Sequence, residues 1–237
     1  MVEFILVTGT GTDVGKTVLT TLLIRRLRTS GLKVLAFKPL CSGGRDDARR
    51  IHRASAGVPL EVINPWHFRP PIAPAIAARR AGRRIRLAEI VGHVRNHASQ
   101  ADLALVEGAG GVLSPLAEDG DVPELALLLR ARPVLVAMNR LGVIHDTRSA
   151  LACFPRKLAE RIPVVLMAPA LRDASCRDNP GYLRELLGPE RVFQIGRLDE
   201  DPSSGAIPSA VARELDRLIA SLRGTHPDRP GRTAARS

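Results

Sequence analysis

Aromatic side chains are scarce in this 237-residue chain: one Trp, one Tyr and five Phe, 3% in all. The arginine-rich runs RRLR, RDDARRIHR and RRAGRRIR therefore carry no interleaved rings on which bases could stack. The net charge of +11 reads poorly as a nucleic-acid surface for that reason. Lysine is scarce as well: of 35 Lys and Arg residues, only Lys16, Lys33, Lys38 and Lys157 are lysines. Cysteine is limited to Cys41, Cys153 and Cys176, an odd number without CxxC spacing. That excludes a disulfide framework or a zinc site and leaves reduced thiols. No apolar run approaches the roughly 20 residues that cross a bilayer. Glu3 lies near the start, and no small-residue cleavage site follows a hydrophobic stretch. The expectation is a cytoplasmic chain with neither membrane nor nucleic acid as a partner.

What is present points to an enzyme-sized α/β fold. With 45% apolar residues the chain can fill a complete core. Residues 1–223 are expected to form a single domain, followed by a polar, Gly/Pro-broken tail at 224–237 (GTHPDRPGRTAARS) that is expected to be disordered. Short apolar, β-branched runs (EFILVT, KVLAFK, ADLALVE, RPVLVAMN, IPVVLMA and RVFQIG) alternate with amphipathic stretches. Because the runs are apolar throughout, they predict a mostly parallel sheet flanked by helices on both faces. The helices are expected at about 17–30, 47–56, 87–100, 123–131, 144–160 and 205–222. The Pro-rich segment NPWHFRPPIAPAIAAR reads as an ordered loop leading into a short helix, with Trp66 and Phe68 packed inward. His93 and His97 have i,i+4 spacing but lack the Glu of HExxH, so they read as a solvated helix face. The positive charge fits either a general attraction for phosphorylated ligands or plain solvation of helix faces, the latter being the simpler account.

The stretch GTGTDVGKT at residues 9–17 follows the first apolar run and opens the first helix. Counted from Gly9 it reads GxxxxxGKT, one residue longer than the usual phosphate loop. The physics is the same: a strand ends, a Gly-rich turn aims backbone N–H groups inward, and Gly15 starts a helix whose N-terminus favours anionic oxygen. Lys16 would reach the terminal phosphates and Thr17 would offer its hydroxyl to Mg²⁺. Glu107, at the end of ADLALVE and before Gly108, Ala109 and Gly110, stands where ligands bind in open parallel sheets and would supply a carboxylate to the metal. A charge buried there without purpose would be costly. Asp47 is a further metal-side candidate, although Asp46 or Asp47 could equally cap a helix. FKPLCSGG brings Lys38 and Ser42 to the same sheet edge, and two converging ammonium groups imply a second anion held beside the γ-phosphate.

Taken in order, GTGTDVGKT, FKPLCSG and VEGAGGVLSPL resemble the dethiobiotin synthetase family of P-loop NTPases, from about residue 4 to 170 and more weakly to 200. The resemblance implies a Mg²⁺- and ATP-dependent cyclo-ligase of biotin biosynthesis, a homodimer acting on small molecules: a diamine, CO₂ and a nucleoside triphosphate. It implies Lys38 and Lys16 as catalytic residues. Nucleotide contacts would come from Asp13, Val14, Gly15, Lys16, Thr17, Val18, Glu107, Gly108, Ala109 and Gly110. Thr12, Asp13, Lys38, Ser42 and His145 would hold substrate, and Thr17, Asp47 and Glu107 the Mg²⁺. The chain departs from the family pattern where SPH is replaced by Ala73, Pro74 and Ala75, and where the Asn of GxINH is His145. It departs again where a base-reading Asn is replaced by Ala168 and Pro169, and where IPxL becomes IGRL. These positions leave open the choice of base and the identity of the acceptor; nucleoside triphosphates other than ATP, a different carbamate or carboxylate, and a switch or partitioning ATPase stand as alternatives.

Overall fold

A computed structural model describes residues 2–198 and 200–224. In chain order the elements are β1 (Glu3–Gly9), α1 (Lys16–Thr29), β2 (Val34–Phe37), β3 (Leu40–Ser42), α2 (Asp46–Ala54), α3 (Leu60–Ile63), β4 (Trp66–Phe68), α4 (Pro74–Arg80) and α5 (Leu87–Ala98). They continue with β5 (Leu103–Glu107), α6 (Val122–Leu129), β6 (Arg132–Met138), α7 (Val143–Ala152), α8 (Arg156–Ala159), β7 (Val164–Met167), α9 (Asn179–Leu187), β8 (Val192–Ile195) and α10 (Ser209–Gly224). Six strands form one parallel sheet in the order β2-β5-β1-β6-β7-β8. All six correspond to the apolar runs of the sequence.

Along these strands alternate residues face opposite layers, and both layers are apolar. In β5, Ala104 and Val106 belong to the core beneath α5 and α6, while Leu103 and Leu105 belong to the core shared with α1 and α10. The same alternation sends Glu107 to the α1 side. In β2, Ala36 faces the α1 layer, and Lys38 continues its parity. Strand register does the rest: Phe37 pairs with Val106, and Val7 pairs with Glu107, so Lys38, Glu107 and the start of the phosphate loop lie at one level of one edge.

Four features differ from the expectations. A second, two-stranded parallel sheet pairs β3 with β4. Pro39 has no N–H and ends the first pairing, after which the chain resumes against the Pro-rich segment instead. The helix expected over 144–160 is two helices, because Pro155 cannot continue the first and begins the second as its cap. Helix α9, with Asn-Pro at its start, was not anticipated; its apolar face is reduced to a few residues such as Leu183. The expected tail lies, from residue 225 onward, outside the described residues; Gly224 closes α10. His93 is not solvated: its ring is half-buried, with Nε2 2.7 Å from the Val62 carbonyl oxygen and its ring packed against Trp66, Phe37 and His97. Much of the arginine excess latches surface elements. Arg26 grips Asp216 of α10 with two bonds of 2.7 Å, Arg79 grips Glu118, and Arg53 reaches Asp201. Exposed pairs of this kind contribute about 0–1 kcal/mol each. Among the described residues, no helix is long and apolar enough to cross a membrane.

At the start of α6, Asp121 and Glu124 form a reciprocal capping box, with the Asp121 N–H donating to Glu124 at 3.2 Å. Burial, and then the adjoining Glu124 carboxyl, raises Asp121 from its ordinary 3.8 to about 7, while the Asp121 hydrogen bond lowers Glu124. One proton is thus retained by the folded pair over a range where an unfolded Asp has lost it. By linkage, stability falls as pH rises from about 4 to about 7. Asp121→Asn keeps a capping side chain and removes the titration. Its melting temperature is expected to decline less than that of the wild type between about pH 5 and 8, as read by thermal denaturation.

Candidate functional site

The edge described above opens into a cavity of about 520 Å³, lined by Thr12, Asp13, Gly15, Lys16, Thr17, Val18, Lys38, Ser42 and Asp47, with Ala109 and Gly110 opposite. Behind Lys38 and Thr17, which line it, lies a buried carboxylate. Glu107 is 1% exposed and Lys38 4%. Glu107 Oε1 accepts from Lys38 Nζ at 2.6 Å and from the Thr17 hydroxyl at 2.6 Å, and Oε2 accepts from the Thr20 hydroxyl at 2.7 Å. Lys38 Nζ also lies 3.3 Å from the Gly108 carbonyl oxygen and 3.5 Å from Asp47 Oδ2. The ammonium therefore sits between two carboxylates. Burial opposes its charge, but Glu107 and then Asp47 outweigh burial and hold its pKa above the ordinary lysine value.

Lys16 behaves differently. Its Nζ folds back to donate to the Gly11 carbonyl oxygen at 2.6 Å. Burial, and then repulsion from Lys38, lowers its pKa from 10.5 to about 8. The loop around it is built by conformation. Gly15 has φ 97°, and a Cβ there would come within 2.8 Å of Met167 Cγ. Asp13, at φ 57°, takes the left-handed turn that projects it and Thr12 outward. At Gly9 a Cβ would meet Val14 at 2.6 Å, so the extra loop residue is accommodated by folding Val14 inward over the strand end.

Sequence-predicted residues fall into three groups. Lys16, Lys38, Thr17, Glu107 and Asp47 converge. Thr12, Asp13, Val18, Ser42, Ala109 and Gly110 line the cavity, and Gly108 and Val14 support it from behind. His145 does not join them: it projects from the exposed face of α7, with Ser149 Oγ at 3.5 Å, and does not line the cavity. The capping alternative for Asp46 and Asp47 is not realised, since Arg45 holds the cap position of α2 and Asp46 bonds Arg49. Cys41 is buried beside Lys38, and burial pushes its thiol up to about 11, which removes it as a nucleophile near neutral pH.

Several contributors were not anticipated. Asn64, fully buried, donates to the Lys38 carbonyl oxygen at 2.8 Å and accepts from Arg45 at 2.9 Å, tying Lys38 to the helix that carries Asp47. The Asn-Pro turn at 64–65 is its only local signal. Arg50 lines the cavity one turn beyond Asp47, and Ser114 lines it while accepting the Gly111 N–H at 2.8 Å. Thr20 was legible only as a polar residue three positions after Thr17 on an otherwise apolar helix face. Among the described residues no cluster of three or more His, Cys, Asp or Glu is gathered for a metal. The donors present are hard oxygens, two carboxylates and a hydroxyl, the set that Mg²⁺ takes when phosphates complete its shell.

Residues 3–207 match the family described as an AAA domain. The ATP-dependent dethiobiotin synthetase BioD of Pseudomonas aeruginosa (strain LESB58) is 38% identical over 223 residues, covering 89% of this chain and 94% of that protein. This chain belongs to the dethiobiotin synthetase family. Its counterpart in Anaeromyxobacter sp. (strain Fw109-5) is 37% identical over 198 residues, 81% of this chain and 89% of that one. Both matches span most of this chain and of the relative. The fold alone extends further. A ParA family ATPase from Chlorobium tepidum TLS superposes with a TM-score of 0.54 at 11% identity, covering 93% of this chain and 98% of that one. Hydrogenase maturation factor HypB from Archaeoglobus fulgidus gives 0.53 at 15% identity, covering 93% and 90%.

The lowered Lys16 pKa has a measurable consequence. In metal-free buffer, affinity for a nucleoside triphosphate is expected to fall as pH rises through about 8, by at most about tenfold per pH unit, as read by calorimetry. Gly15→Ala is expected to weaken the same binding, because the left-handed backbone alone costs on the order of 1–2 kcal/mol with a Cβ.

Proposed function

We propose that the chain is an ATP-dependent dethiobiotin synthetase in which Lys16 and Lys38 together handle the phosphoryl group and a carbamate. The carrying observation is that both lysines and Asp47 line one cavity, with Glu107 paired to Lys38 behind it. In this reaction CO₂ and one amine of 7,8-diaminononanoate form a carbamate. A carbamate oxygen attacks the γ-phosphorus of ATP and ADP departs. The second amine then attacks the carbonyl carbon, phosphate leaves with the carbamate oxygen, and the ureido ring closes.

Lys38 stays protonated, so it acts as a fixed positive charge rather than a base, stabilising oxygens on which charge develops. Lys16 leaves the Gly11 carbonyl oxygen for the triphosphate. The backbone from Asp13 to Val18 cradles the phosphates at the start of α1, with Ala109 and Gly110 lining the same cavity and Gly108 behind Lys38. Thr17, Asp47 and Glu107 would hold Mg²⁺, which when bound neutralises charge on the phosphate oxygens. Ser42, Thr12 and Asp13 face the acceptor side, where an Asp has the right sign for an ammonium.

His145 lies outside its own chain's cavity, so the substrate role that the family resemblance implies for it would require a second copy, as in a homodimer. Residues 1–223 act as one unit in this reading, supported by α10, whose Leu215 and Leu218 share a core with Ile5 of β1. A cytoplasmic location accords with the substrates.

Diaminononanoate is expected to trigger phosphate release only with bicarbonate, Mg²⁺ and nucleotide together, with dethiobiotin identified by mass. A flat response to the diamine would end this reading. Lys38→Ala should stop product formation while leaving nucleotide binding largely intact. It should also destabilise the fold by roughly 3 kcal/mol, because Glu107 loses its buried counter-charge; product assays and chemical denaturation measure the two effects.

A further inference from the structure

Glu107 is held from two sides by unequal means. Its Oε1 accepts from both Lys38 and Thr17, the groups the proposed function assigns to substrate and metal. Its Oε2 has Thr20 as its hydrogen-bond donor, at 2.7 Å. Thr20 is fully buried one turn deeper than the lining residue Thr17, and its hydroxyl reaches Glu107 Oε2 and the Lys16 carbonyl oxygen. It lies three residues after Thr17 on α1, on the same face one turn deeper. Its hydroxyl hydrogen has two acceptors within reach, Glu107 Oε2 at 2.7 Å and the Lys16 carbonyl oxygen at 3.0 Å. The shorter bond, to a charged oxygen, is the stronger. The Lys16 carbonyl is otherwise served by the helix ladder, so the bond to Glu107 is the one without a substitute.

We propose that Thr20 is a positioning residue: it fixes the plane of the Glu107 carboxylate, so that Oε1 stays aimed at the cavity when Thr17 and Lys38 turn to their ligands. This rests on the reading of Glu107 as a metal-side carboxylate, and not on the identity of the acceptor. A group that orients a ligand without touching the ion commonly alters metal affinity by about 10- to 100-fold.

The test uses the full chain and a non-hydrolysable ATP analogue, with no diamine present. Calorimetric titrations with and without Mg²⁺ are compared for wild type, Thr20→Val, Thr20→Ala and Thr20→Ser. Thr20→Val keeps the branched shape and removes the donor, so the Mg²⁺ concentration needed to tighten nucleotide binding should rise about 10- to 100-fold. Metal-free nucleotide affinity should not change. Thr20→Ala should behave like Thr20→Val, and Thr20→Ser should return the Mg²⁺ response to that of the wild type. Unaltered Mg²⁺ dependence in the folded Val or Ala variant would overturn the proposal. So would a parallel loss of metal-free binding, a Ser variant no better than Val, or failure of both Val and Ala to fold, since each outcome makes the role structural. Failure of the wild type to form dethiobiotin would instead count against the proposed function and leave these titrations interpretable.

Discussion

The ion pair between Lys38 and Glu107 is the constraint to which the surrounding structure answers. Two charges removed from water are tolerated only when geometry and additional hydrogen bonds compensate the lost hydration. Here a 2.6 Å contact is backed by two threonine hydroxyls from α1 and by Asp47 from α2. Strand order makes this possible. With β5 between β1 and β2, the carboxylate at the end of β5 has the phosphate loop on one side and Lys38 on the other. Residue parity then turns both charges toward the helix that begins with the loop.

The two lysines of the cavity are chemically distinct although both line it. Carboxylates surround Lys38 and keep it charged, whereas Lys16 has a backbone carbonyl for a partner and is loosened by burial and by its neighbour's charge. A site built this way contains one permanent cation and one that a phosphate can recruit. Most of the arginines with assigned partners, by contrast, work away from the chemistry, joining α1 to α10, α2 to the segment after β8, and α4 to the turn before α6. Of the four lysines, Lys16 and Lys38 stand in the cavity, where a compact ammonium differs from a forked guanidinium.

The main sheet was legible because each of its strands is buried on both sides and reads as an unbroken apolar run. The phosphate loop was legible because glycines at fixed offsets have a steric reason to be there. Elements defined by a partner rather than by their own pattern were not legible. The β3–β4 sheet consists of three-residue strands whose pairing is decided by Pro39 and by the fold of the segment around Asn64. Helix α9 carries too few apolar positions to show a period, and the break at Pro155 was passed over by a pattern that continued beyond it. Among site residues, those in the family motifs could be named in advance, while Thr20 and Asn64, which bond Glu107 and the Lys38 carbonyl oxygen from behind, required the third dimension. His145 marks the opposite limit, since the family resemblance named it and the structure places it outside the cavity of its own chain.

Placing β5 between β1 and β2 also imposes an order of events on the emerging chain. β2 has no partner in the main sheet other than β5, and the carboxylate that completes the site is the last residue of that strand. The phosphate loop is fully synthesised by residue 17 and Lys38 soon after, yet neither can be held in place until residues 103–107 arrive and insert between strands formed from the first forty. A nascent or truncated chain that stops short of Glu107 therefore contains every glycine of the loop and no functioning site.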